Sequence, residues 1–212
     1  MIAVAAVMIV ALDVNTALTT PRQLRRTISE YGLDSSQWVF AIAVVLLAAG
    51  SFAILLSIVG RERERISKVG SAAMVLWSVG LIAVVVAPKQ DWATDPTLGL
   101  SGAVHRFGTA IAFVSLPVAV ILLARPHAGA RWAYRAGWVS AATLTPIAVA
   151  LVVGLTSSTP WFRVIVLGYV ERVVVVAEVV AVVLLGLWAA RSGAGRMFHD
   201  SGRLPIDAIE QR

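Results

Sequence analysis

No cysteine occurs in the 212 residues, which removes disulfides, thiolate metal sites and cysteine nucleophiles together. Charge is scarce as well: Asp, Glu, Lys and Arg make up 14% of the chain, against about 25% in an ordinary soluble domain. There are three histidines, too few and too scattered for a zinc site with several imidazoles or a bis-histidine haem, so no metal and no cofactor is expected. The serines lie in no nucleophile motif.

What fills the chain instead is apolar. Hydrophobic residues account for 58% of it and the mean hydropathy is +0.83, so the chain is read as an integral membrane protein. Its length suits one bundle of about six spans and leaves no room for a second soluble domain. The net charge of +6 does not point to nucleic acid, because the basic residues flank the apolar runs instead of gathering with aromatics on one surface. Membrane lipids are the expected partners. An Ala, Val and Arg bias of the kind GC-rich bacterial genomes produce suggests a multi-pass protein of a bacterial cytoplasmic (inner) membrane.

The spacing predicts an all-α fold of six transmembrane helices. The first runs from Ile2 to about Leu18; no Lys or Arg precedes it, which argues for a retained span over a cleaved signal. The others are expected at Trp38–Val59, Val69–Ala87, Ala103–Ala124, Trp138–Thr156 with Pro146 as a kink, and Val164–Ala190. Between the first two, Thr20-Pro21-Arg22-Gln23 has the makings of a helix start, and Leu24, Ile28 and Tyr31 recur opposite Arg22, Arg25 and Arg26. A short amphipathic helix at the membrane interface is expected there. Residues 1–190 form the membrane domain in this reading and residues 191–212 a polar cytoplasmic tail. Arg61, Arg63, Arg65, Lys68, Arg125, Arg131, Arg135 and the tail arginines favour both termini on the cytoplasmic side, although Arg22, Arg25 and Arg26 count against it.

Ionisable residues inside apolar runs are the functional signal, since a charge at the bilayer centre costs about 2.5–3.5 kcal/mol even on the lenient insertion scale. In the last span Glu171 and Glu178 stand seven residues apart and share one face, with Glu178 near the middle. Under the chosen topology Asp13, Glu30, Asp91, Asp95, His105, Arg106, Glu171, Arg172 and Glu178 all fall in the outer half. Such an accumulation suggests an outward-opening polar pocket; the competing reading makes Asp13, Arg106, Glu171 and Arg172 interhelical struts. A metal held by Asp91, Asp95 and His105 would have one imidazole only and is not favoured.

Three stretches carry a family likeness: Thr27-Ile28-Ser29-Glu30-Tyr31-Gly32 ahead of the second span, Asp95 to His105 (DPTLGLSGAVH) entering the fourth, and Gly168-Tyr169-Val170-Glu171-Arg172 in the sixth. With them the chain resembles a bacterial and archaeal family of six-helix membrane proteins known as the domain of unknown function 998. The resemblance implies six spans and motifs clustered on one membrane face; it implies no substrate and no catalytic residue.

The leading expectation is therefore a non-enzymatic membrane protein that binds a lipid headgroup or small polar ligand through Asp13, Glu30, His105, Arg106, Glu171, Arg172 and Glu178. An accessory subunit of a larger membrane assembly is the second reading. A cell-envelope or lipid hydrolase or transferase using His105 and the carboxylates as acid and base is the third.

Overall fold

A computed structural model describes residues 1–61, 66–87, 89, 99–125, 127–157 and 164–201, with α7 side chains described as far as Ser192. Among these residues the regular structure is entirely helical: α1 (Ile2–Thr19), α2 (Gln37–Arg61), α3 (Lys68–Val86), α4 (Leu100–Ala124), α5 (Arg131–Thr143), α6 (Thr145–Thr156) and α7 (Leu167–Ser201). Six segments are long and apolar enough to cross a membrane, with α5 and α6 forming one of them between Ala128 and Thr156. Helices are the natural outcome, because in hydrocarbon each backbone N–H and C=O must find its partner within the chain.

The tightest packing is between α3 and α4, where small residues let the two backbones touch. A Cβ built on Gly80 would lie 2.7 Å from the carbonyl oxygen of Gly108, and one on Gly108 would lie 3.0 Å from Ala83 Cβ. Close approach of this kind replaces the hydrophobic drive that is missing between helices in lipid. Met74, Trp77, Leu116, Val120 and Leu123 fill the interior on either side. The indole N–H of Trp77 donates to Ser51 Oγ at 3.1 Å, and that hydroxyl donates to Leu47 O at 2.8 Å, tying α3 to α2. Around this pair α1 packs on α2, and α7 closes the bundle against α5, α4 and α2. At the other end the Arg61 guanidinium donates to the carbonyl of Ala189, joining α2 to α7.

Two segments depart from the sequence expectation. The α1–α2 connection is two 3-10 turns, Pro21–Arg25 and Ile28–Gly32, instead of one amphipathic helix, with Arg26 and Thr27 extended between them. The reason lies in its backbone bonds. In a continuous α-helix the Ile28 N–H would bond to Leu24 O; here the Ile28 N–H donates to Glu171 and the Leu24 carbonyl accepts from Arg172. The segment folds inward, burying Ile28, Ser29 and Tyr31. Thr20 reaches the Gln23 side chain at 3.1 Å and not its amide, so the expected capping box does not form.

The fifth span also differs: helix begins at Arg131, ahead of the expected start at Trp138. The Arg131 and Arg135 guanidiniums lie 5.7 and 5.2 Å from the centre of the Trp132 ring, an arrangement that holds the charges at an interface while the backbone stays helical. The expected kink is a break at Leu144, after which α6 restarts with Pro146 in its first turn, where a missing N–H costs nothing.

Candidate functional site

The ionisable residues singled out in the sequence divide into three groups, the first of them placed by the meeting of the α1–α2 connection with the start of α7. At that meeting Gly168 is required by close approach: an added Cβ would sit 2.2 Å from Arg26 O and 2.5 Å from Arg25 C. With backbone against backbone, Arg172, one turn further along α7, can reach across to α1 and the connection.

Arg172 is the hub of the first group. Its Nε donates to Asp13 Oδ1 at 3.0 Å, and Nη2 lies 2.9 Å from the same oxygen. Nη1 lies 3.0, 2.9 and 2.9 Å from the carbonyl oxygens of Leu24, Arg26 and Gly168, three acceptors sharing two hydrogens. The Tyr31 hydroxyl donates to Asp13 Oδ1 at 2.8 Å and lies 3.1 Å from Thr16 Oγ1. Burial first, and the bond to Asp13 as well, push the Tyr31 phenol above its ordinary value, with Thr16 and Arg172 pulling the other way. One guanidinium thus binds α1, the connection and α7 together, a use of its planar fork that lysine cannot reproduce.

Glu30 heads the second group. Its carboxylate receives Lys89 Nζ at 2.7 Å and Arg26 Nη1 at 3.4 Å, and Lys89 also donates to Thr27 Oγ1 at 2.7 Å. Nearby, the buried His105 ring places Nδ1 2.9 Å from Ala87 O, clamping the start of α4 to the end of α3. Arg106 is half-buried on the next position of α4. Asp91 and Asp95, the carboxylates considered with His105, lie outside the described residues.

The third group is the pair of glutamates on the inner face of α7. Glu171 is buried and accepts the Ile28 N–H at 3.1 Å through Oε2. Two turns on, about 10 Å along the helix, Glu178 is 0% exposed and neither carboxyl oxygen has a hydrogen-bond partner among the described residues. A buried polar group left in that state costs about 1–3 kcal/mol, and more if it is charged.

Both glutamates line a cavity of about 260 Å³ bounded by α1 through α4, the connection and α7, and open at the surface beside the exposed Val10, Val176 and Val180. The rest of its wall is mostly apolar, including Ala5, Ile9, Ala43, Leu47, Leu81 and Val175. A second cavity of about 220 Å³ is lined by Ser29, Gln37, Trp38, Lys89 and His105 among others, and the two share Ser29, Phe40 and Val84. Asp13, Glu30, Arg106 and Arg172 are on the wall of neither. Seven residues expected around one polar pocket are thus distributed: Asp13, Arg172 and Glu30 act as struts, Arg106 stands half-buried on α4 on the wall of neither cavity, His105 lines the smaller cavity, and Glu171 and Glu178 line the larger.

Sequence reasoning passed over Tyr31, Thr16, Ile28 and Lys89 as members of these networks. The signal was the Thr27–Gly32 stretch, whose polar residues lie too close to the membrane to be a mere linker. It also passed over Ser29, which joins the two cavities.

No curated protein and no solved structure matches the chain. The match comes at the level of the family: a model described as a protein of unknown function, DUF998, covers residues 2–188. That range takes in five spans, most of the sixth and each of the three groups above, and the chain belongs to the DUF998 family.

Proposed function

We propose that this protein binds, without catalysis, a small amphiphile drawn from the surrounding membrane, in the chamber that α1 to α4 build against α7. The observation that carries the reading is the composition of that wall: about 260 Å³ of space bounded by apolar side chains and two carboxyl groups. A purely apolar cavity of roughly 150 Å³ is enough for a molecule the size of benzene. A chamber larger than that, with two acceptors at different depths, suits a mostly apolar ligand carrying one polar group.

The struts support this reading by pairing their charges outside the chamber. Asp13, Arg172, Glu30 and Lys89 satisfy one another outside it, so Glu171 and Glu178 are not needed to neutralise them. The smaller cavity, sharing Ser29, Phe40 and Val84 with the chamber, is the route by which a polar group would pass. With both termini cytoplasmic in a bacterial inner membrane, the arrangement favoured by the basic residues, that route opens outward.

Native mass spectrometry of the full chain released from its membrane tests the proposal. A copurifying amphiphile is expected on the wild type and is lost from Ala43→Phe and from Val175→Phe, which fill the chamber from opposite walls. Overpacking of this kind costs about 1–3 kcal/mol, so a thermal melt accompanies each variant. Bound amphiphile retained in both folded variants sinks the proposal.

A further inference from the structure

The larger cavity holds more than its volume requires. Glu178 stands in its wall at the middle of α7, fully buried, with neither carboxyl oxygen partnered among the described residues. Among the side chains lining the chamber from α1, the connection, α2, α3, α4 and α7, the ionisable ones are Glu171 and Glu178. The remaining polar side chains are Ser29, Thr109 and Trp77, and each is already engaged. The Trp77 N–H is given to Ser51, the Thr109 hydroxyl to the carbonyl of His105, and Ser29 Oγ lies 3.1 Å from Thr27 Oγ1. Among the described residues no lysine, arginine or histidine lines the wall.

The geometry points to a lipophilic amine as the ligand of this chamber, its protonated nitrogen held by the Glu178 carboxylate and its hydrocarbon body packed among Leu47, Trp77, Leu81, Phe113 and Val179. This assignment rests on the chamber being a ligand site, and it names the chemistry the site selects. An ammonium group supplies both things that Glu178 lacks, a counter-charge and hydrogen-bond donors, and only its favourable pairing makes burial of either ion tolerable. A second carboxyl group two turns away adds negative potential from the same side. An anionic amphiphile meets two acidic groups and no cation, so it is excluded. A neutral alcohol fills the same space and offers one donor without a charge.

Three probes with one apolar cage separate these cases: 1-adamantylamine, 1-adamantanol and 1-adamantanecarboxylate, titrated calorimetrically at neutral pH against the full chain in lipid nanodiscs, with empty nanodiscs subtracted. The amine is expected to bind at least tenfold more tightly than the alcohol, and the carboxylate not at all. Glu178→Gln, which keeps the shape of the side chain, is expected to abolish the preference for the amine while the alcohol still binds. Glu171→Gln is expected to keep the preference, because Glu171 already holds the Ile28 N–H. Equal affinity for amine and alcohol in the wild type, or a preference that survives Glu178→Gln, overturns the amine assignment and leaves the chamber standing. Binding of none of the three overturns the assignment and the chamber reading together. Ala43→Phe separates site from surface: probe binding that persists in it lies elsewhere on the protein and also refutes the assignment.

Discussion

Arg172 has the largest share of the described polar bonds, and its replacement is the clearest single-residue experiment. Asp13 would lose its counter-ion, and the carbonyls of Leu24, Arg26 and Gly168 would lose a donor at once. Arg172→Ala is expected to destabilise the protein by about 3 kcal/mol, the lower part of the range for removing one partner of a buried pair, read from reversible unfolding in mixed micelles. A loss below about 1 kcal/mol would mean that the network is ornamental. Tyr31 makes a pH prediction. Its phenol is raised in the fold, so the neutral form is the one the fold favours. The stability it brings is whole below the unfolded value near 10 and is lost as pH rises through the higher folded value. The ultraviolet phenolate signal missing from Tyr31→Phe should therefore have its midpoint above about 10, and a midpoint at or below it would contradict the burial. Asp13, Glu171 and Arg172 were legible because charges are conspicuous in apolar runs. Tyr31 and the Ile28 amide were not, since their roles exist only once the connection folds back onto α7.

At the scale of elements, the joint between that connection and α7 is the part most sensitive to a single methyl group. Gly168→Ala puts a Cβ within 2.2 Å of the Arg26 carbonyl and 2.5 Å of Arg25 backbone atoms, none of which can swing away. The expected cost is about 2–3 kcal/mol of overpacking, with hydrogen exchange rising first at the Ile28 amide because its bond to Glu171 is broken. Exchange unchanged at Ile28 would show that the joint yields without opening. Six spans were legible from length and hydropathy alone, and Pro146 marked the irregularity in the fifth. Two features were hidden. The periodicity of Leu24, Ile28 and Tyr31 fits a helix, but local preference is outweighed by long-range bonds to Arg172 and Glu171. The fifth span was expected to start at Trp138, whereas Arg131 and Arg135 already cover the Trp132 ring from within the helix.

For the molecule as a whole, the division of labour among its buried charges is what sequence cannot supply, because it depends on which helices neighbour α7. Periodicity put Glu171 and Glu178 on one face, and depth marked Glu178 as costly. Neither indicated that the surrounding wall would be apolar and bound a chamber while Asp13, Arg172, Glu30 and Lys89 paired off beside it. Carbodiimide labelling tests the central claim most directly. The lipophilic reagent dicyclohexylcarbodiimide, added to membranes containing the full chain and followed by peptide mass mapping, should modify Glu178, and Ala43→Phe or prior incubation with 1-adamantylamine should protect it. A Glu178 that stays unmodified in the wild type, or is modified equally when the chamber is filled, would contradict the account.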